Sequence, residues 1–201
     1  MRTMGEEAKT FKDILCQFVS KKRIRISFTL IGSIIIYLIV SGHKPNSILP
    51  WISVSGFIGT LITFGGVFMR SWAAGVIKKQ KTLATDGPYA LCRHPLYLGS
   101  FFMALGFLII IGHYFATLAV IAIILSVYIP TIRKEERVIS EHFQDSWPDY
   151  TRDVGLIFPK RLTNRIWISW SFSQWFSNKE FQASLATIVA LILVQFWYQN
   201  S

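Results

Sequence analysis

Long apolar runs alternate along this chain with polar, mostly basic connections. Runs close to the length of a bilayer crossing are Ile26 to Ser41, Ile48 to Met69, Leu96 to Gly112, Tyr114 to Ile132 and Phe181 to Tyr198, the first of them short. From Pro95 to Ile132 there is no Asp, Glu, Lys or Arg in 38 residues. As one helix this stretch would reach about 57 Å, roughly twice the hydrocarbon thickness, so it must turn back on itself. Gly112-His113-Tyr114 supplies the turn, and the pattern predicts two antiparallel helices in a tight hairpin. The expected fold is all-α: a polytopic integral membrane protein with five transmembrane helices, forming a single membrane domain over residues 1–201.

Composition agrees with the pattern. Of 201 residues 52% are apolar and 16% are charged, well below the quarter or so usual in soluble domains, and mean hydropathy is +0.41. A net charge of +10 would suit nucleic acid if it formed one face, but the Lys and Arg lie between apolar runs, so no nucleic-acid partner is expected. Residues 1–25 hold seven Lys and Arg, 43–47 one, 70–95 five, the hairpin none, and 133–180 eight. That alternation predicts a cytosolic N-terminus and cytosolic long connections, with the C-terminus on the opposite side. The basic N-terminal stretch before an apolar run also resembles a signal peptide. It is long, and no small-x-small cleavage site follows Val40, which favours a retained first helix. Cys16 and Cys92 lie in stretches that carry the basic clusters, so no disulfide is expected. Trp167, Trp170, Phe172, Trp175 and Phe176 mark a segment suited to the headgroup level, most simply an anchor.

Polar groups beside apolar helices cost energy, so chemistry is sought where they concentrate. One such segment, Leu83 to Gly99, runs into the third span; the other, Arg133 to Tyr150, runs out of the fourth, and the hairpin returns both to one membrane surface. Asp86-Gly87-Pro88 reads as a turn and Pro95 as the first turn of a helix, which puts Arg93 and His94 at a helix N-terminus suited to an anion. The bland alternative is an arginine marking the membrane edge and an interfacial histidine. Glu135 and Glu136 likewise read either as a solvated helix end with local ion pairs or as partners for a cation. Glu136, Phe143 and Tyr150, at steps of seven, would share a helical face, with Pro148 interrupting before Tyr150. Carboxylates beside an Arg-His pair suit both ends of a zwitterion. No metal site is expected.

Leu83-x-Thr85-x-Gly87-Pro88-Tyr89, then Arg93-His94-Pro95-x-Tyr97-x-Gly99, then Glu135-Glu136 with Phe143, Trp147 and Tyr150, resembles the isoprenylcysteine carboxyl methyltransferase family, related to the phospholipid N-methyltransferases. The resemblance spans about residues 70–160, an expected methyltransferase core to which a C-terminal helix at 181–198 is added. It implies a membrane enzyme using S-adenosylmethionine at the cytosolic face. The cofactor contacts it implies fall on Leu83, Ala84, Tyr89, His94, Pro95, Tyr97 and Glu135. The residues themselves suggest Arg93, His94 and Glu136 for catalysis, with Tyr89 as an aromatic wall for adenine or the sulfonium.

The chain departs from the family where a basic residue is associated with the substrate carboxylate: Thr131 stands there, and Arg133 and Lys134 are expected on other faces of the helix. Lys81 stands where a His is usual. The acceptor is therefore expected to be lipid-like, the carboxylate of an isoprenylcysteine or similar, entering from the bilayer. The alternative acceptor is a phospholipid or other amine, which needs a base, with His94 or Glu136 the candidates. Two other classes are a nicotinamide-dependent reductase of the sterol type, whose chains have more spans, and a scaffold that kept the fold without activity.

Overall fold

The computed structural model describes residues 29–78, 82–161, 164–166 and 170–201. The basic N-terminal stretch, Cys16, Ile26 to Phe28 of the first expected span, Lys81 and Trp167 lie outside the described residues. Within them the helices are α1 (Thr29–Val40), α2 (Val54–Val76), α3 (Pro95–Ile111), α4 (Tyr114–His142), α5 (Trp147–Asp153), α6 (Phe172–Ser177) and α7 (Glu180–Gln199), with short 3-10 turns at Gly87–Ala90 and Asn164–Ile166. A single parallel bridge, Cys92 with Gly155, is the extended pairing among the described residues. Among the described residues the architecture is all-helical, that of a helical membrane protein. Three helices, α2, α4 and α7, with 23, 29 and 20 residues, are long and apolar enough to cross; α1 and α3 are apolar but shorter.

The turn of the expected hairpin forms at Gly112 and His113, although α3 and α4 approach each other closely at few positions. Gly112 ends α3 in the left-handed region at φ 66°, and His113 caps α4, its Nδ1 accepting the Ala116 N–H at 3.2 Å. The second expected span is displaced: α2 starts at Val54 and runs past Met69 to Val76. Pro50 lies in a turn before the helix, Ser53 caps the first turn by accepting the Gly56 N–H at 3.2 Å, and Arg70 stays inside the helix because Glu180 neutralises it. At the other end α4 continues beyond Ile132, so the Arg133 to Arg137 cluster is helical. The helix stops at His142, with Phe143 as its cap, and α5 begins at Trp147. Glu136, Phe143 and Tyr150 therefore do not share one helical face, and the break falls earlier than Pro148.

Helices α2 and α3 pack antiparallel along a seam of small residues. A Cβ at Gly66 would lie 2.5 Å from the Gly99 carbonyl oxygen, one at Gly99 2.7 Å from that of Gly66, and one at Gly59 2.7 Å from that of Gly106. Backbones this close are how helices associate in lipid, where burial of apolar surface gives no drive. Helix α7 is tied to α2 by Arg70–Glu180 near one end. Near the other, the Gln195 Oε1 accepts from the Ser47 hydroxyl at 3.1 Å and the Ile48 N–H at 3.0 Å. The aromatic segment also closes the C-terminus of α2: Asn178 donates to the Ala74 and Ile77 carbonyls at 2.8 and 3.2 Å, and the Trp170 indole to that of Ser71 at 2.9 Å.

Candidate functional site

The segment before α3 is held in place by the segment after α5. Arg93 N–H donates to the Gly155 carbonyl at 2.9 Å and His94 N–H to that of Leu156 at 3.2 Å. Tyr150 donates its hydroxyl to the Tyr89 carbonyl at 2.8 Å. The backbone donors of Arg93 and His94 are thus spent on the fold, and an anion at this helix start would have to rely on side chains. His94 is the N-cap and Pro95 the first helical residue, so the expected helix start is where the sequence puts it.

Above this frame lies a cavity of about 1170 Å³, lined from the 3-10 turn, α2, α3, α4 and α5. It gathers Leu83, Ala84, Tyr89, Arg93, His94, Tyr97 and Glu135. Phe143, Trp147 and Tyr150 line it too, although α5 and not α4 carries the last two. Two expected site residues do not line it. Pro95 is buried at the start of α3, and Glu136 sits behind the wall, its Oε1 2.8 Å from Arg93 Nε and 3.5 Å from His94 Nε2.

The acidic pair is divided between two tasks, and neither member is a solvated helix end. Glu135 Oε1 accepts the Tyr97 hydroxyl at 2.7 Å, linking α4 to α3. Glu136 forms the ion pair with Arg93, at contact distance but with the N–H not aligned for a hydrogen bond. The Arg93 guanidinium lies 5.7 Å from the Trp147 ring centre, a cation–π contact that brings α5 into the same cluster.

Three groups carry electrostatic consequences of burial. His94 is held below the usual histidine range: burial disfavours the imidazolium more than nearby Glu136 and Glu135 favour it. The Cys92 thiol is pushed up to about 11, chiefly by burial, and is inert as a nucleophile. Tyr89 is raised far above the tyrosine range, burial first and Tyr150 second, so its phenol keeps its proton. That hydroxyl is buried at the cavity with no hydrogen-bond partner among the described residues. Buried hydroxyls are normally paired, so Tyr89 offers a donor toward the cavity.

Sequence reasoning missed three basic wall residues. Lys134, expected on another face of α4, lines the cavity, because Thr131, Lys134, Glu135 and Val138 fall on one helical stripe. The spacing of three from Thr131 was the available signal. Arg70 and Lys78 also line it and had been assigned only to a basic connection.

The family description "Phospholipid methyltransferase" matches residues 52–146. A nickel-cobalt-cadmium resistance protein of Alcaligenes xylosoxydans xylosoxydans is 30% identical over 152 residues, 73% of this chain and 68% of that one. A cobalt-zinc-cadmium resistance protein of Cupriavidus metallidurans is 28% identical over 162 residues, 78% of this chain and 73% of that one. The protein-S-isoprenylcysteine O-methyltransferase of Schizosaccharomyces pombe is 36% identical over 76 residues, 38% of this chain and 32% of that one. The chain belongs to the isoprenylcysteine methyltransferase-like family, related to the phospholipid methyltransferases. No solved structure matches it. Membership makes it a membrane protein of a methyltransferase family, and the matched region contains α2, α3, α4 and the whole Arg93 to Glu136 cluster. Among the described residues no group of three or more His, Cys, Asp or Glu is arranged to hold a metal ion.

Proposed function

We propose that the protein is an S-adenosylmethionine-dependent methyltransferase acting on a lipid-like acceptor, with the carboxylate of an isoprenylcysteine or similar molecule as the methyl acceptor. The observation that carries this reading is the cavity itself: seven of the expected site residues, drawn from segments about forty residues apart, line one space. At about 1170 Å³ it exceeds the roughly 300–1000 Å³ of ordinary ligand pockets, leaving room for a nucleoside and an acceptor headgroup together.

The residues present fit such a cofactor. Glu135, oriented by Tyr97, is a seat for an ammonium; Tyr89 supplies an unspent buried donor and an aromatic face; Leu83 and Ala84 give apolar wall. When bound, S-adenosylmethionine supplies an electrophilic methyl group. The chain's own work is alignment and exclusion of water. Arg93, clamped by Glu136 and Trp147, fixes the start of α3 and the position of α5 over the cavity. A carboxylate acceptor is ionised at neutral pH and needs no base.

A second reading, N-methylation of a phospholipid amine, is favoured by the phospholipid methyltransferase match and by His94, whose lowered pKa leaves a neutral imidazole able to take a proton. Both readings place the site at the cytosolic face of a five-helix bundle, α1, α2, α3, α4 and α7, with the acceptor's tail arriving from the bilayer.

The test is purified protein given labelled S-adenosylmethionine with a prenylcysteine analogue or an aminophospholipid, over about pH 6 to 9. A carboxylate acceptor gives a rate without a basic limb near neutrality, and an amine acceptor gives one that rises with pH. Transfer to neither, with no S-adenosylmethionine bound, overturns the methyltransferase reading.

A further inference from the structure

The cavity wall carries more positive charge than its neighbouring carboxylates balance. Arg70 is held by Glu180 at 2.7 and 2.9 Å, and Arg93 by Glu136 at 2.8 Å. Glu135 is the carboxylate on the wall itself, and its negative charge matches the ammonium of a methionine moiety. Two cations remain, Lys78 and Lys134, both exposed to the cavity and neither in an ion pair among the described residues. Lys78 lies beyond the end of α2, whereas Lys134 is inside α4, next to Glu135 and one turn from buried Thr131.

The surroundings of Lys134 matter as much as its charge. Val127, Val138 and Ile139 share its wall of the cavity, and an ammonium beside apolar surface keeps its stabilisation only by holding water or by exchanging it for an anion. A bound methyl donor brings no anion to spare, since its carboxylate is outnumbered by its own two positive groups. The missing negative charge has to arrive with the other substrate.

We infer that Lys134 anchors an anionic group of the methyl acceptor, a carboxylate or a phosphate, and so sets acceptor specificity in a chain that carries Thr131 where the family pattern has a basic residue. This rests on the methyltransferase reading for naming the ligand an acceptor, but the anchoring itself is an equilibrium property that is measured without turnover. An acceptor that presents only a neutral group gains nothing from Lys134.

The experiment uses the full chain in detergent and compares wild type, Lys134→Ala, Lys134→Arg and Arg133→Ala, the last an exposed neighbour that does not line the cavity. Calorimetry gives dissociation constants for N-acetyl-S-farnesylcysteine, its neutral methyl ester, a short-chain phosphatidylethanolamine and S-adenosylmethionine. Lys134→Ala is expected to weaken an anionic acceptor about tenfold to a hundredfold, the scale of one charge-assisted contact. Binding of the ester and of S-adenosylmethionine should stay within about twofold, and Lys134→Arg should recover most of the loss. A loss on the farnesylcysteine identifies a carboxylate as the anchored group; a loss on the phospholipid identifies a phosphate. Equal affinities in Lys134→Ala and Arg133→Ala overturn the inference, as does an equal loss of S-adenosylmethionine or failure of both acceptors to bind wild type. Acceptor binding that depends on Lys134, with no label passed from S-adenosylmethionine, overturns the methyltransferase reading and leaves the anion seat standing.

Discussion

The Tyr97 hydroxyl donates a 2.7 Å hydrogen bond to Glu135, joining α3 and α4 at the cavity although the two helices make few other close approaches along their length. The bond presents one carboxylate oxygen in a fixed direction, and the Tyr97 ring is itself held edge-on against Tyr128 at 5.1 Å. A carboxylate restrained in this way is suited to an ammonium, because the orientation is set before the ligand arrives.

Glu135→Gln should therefore weaken S-adenosylmethionine by about tenfold to a hundredfold, or roughly 1.5 to 3 kcal/mol, as expected for losing a charged partner. Tyr97→Phe removes the orienting bond while leaving the charge of Glu135, and should cost about 1 kcal/mol. Glu141, exposed on the same helix, is the control, and Glu141→Gln should leave binding unchanged. Titration calorimetry distinguishes the three, and equal effects at Glu135 and Glu141 would return the carboxylate to a solvated helix end.

The α2–α3 seam predicts a pattern of stability. Gly66→Ala and Gly99→Ala each bring a Cβ to within 2.5 to 2.7 Å of a backbone carbonyl oxygen, so the helices must move apart. A cost of about 1 to 3 kcal/mol is expected. Gly65 has nothing within 4 Å, and Gly65→Ala should be neutral or slightly stabilising, since alanine suits a helix better than glycine. Thermal unfolding in detergent measures all three; a destabilised Gly65→Ala or a tolerant Gly66→Ala would argue against the seam.

Arg70 and Glu180 form the best-connected ion pair among the described residues. Two guanidinium nitrogens meet the carboxylate, and a third donates to Ser100. Glu180 is 5% exposed, so removing Arg70 alone strands a buried charge. Arg70→Met should cost about 3 to 5 kcal/mol, while Arg70→Met with Glu180→Leu should recover a large part of it. Additive losses in that double-mutant cycle would mean that the pair is not coupled.

What was legible in the sequence follows from which signals are local. The hairpin at Gly112, the cap at His94 and the helical start at Pro95 depend on residues adjacent in the chain, and each forms where the pattern puts it. The helix beyond the fourth apolar run was expected to continue until Pro148, whereas α4 stops at His142, because nothing in the local spacing marks that end. Arg70–Glu180 joins positions 110 residues apart, and no periodicity in either segment records it. The roles of Glu135 and Glu136 were ambiguous for the same reason: their partners, Tyr97 and Arg93, lie on another helix and in the segment before it. The helical stripe through Thr131 and Lys134 was accessible from spacing and was overlooked.

His94 carries the last prediction, which concerns pH. Burial holds its pKa below the ordinary value, with Glu136 and Glu135 opposing and Arg93 reinforcing the shift, so the folded protein keeps the imidazole neutral. In the unfolded chain a histidine takes up its proton at about pH 6.5. As pH falls through that value the unfolded state binds a proton that the folded state refuses, and stability declines until the pH passes the folded value. The contribution of His94 is thus fully present above about pH 6.5 and is lost on acidification. His94→Asn keeps a polar cap for α3 but cannot titrate, so its melting temperature should fall less steeply than that of wild type from about pH 6.5 downward. His43, His113 and His142 are common to both proteins and cancel in the comparison. Parallel curves for wild type and His94→Asn would mean that His94 takes up its proton as readily in the folded as in the unfolded protein, and the burial effect on its imidazole would be refuted.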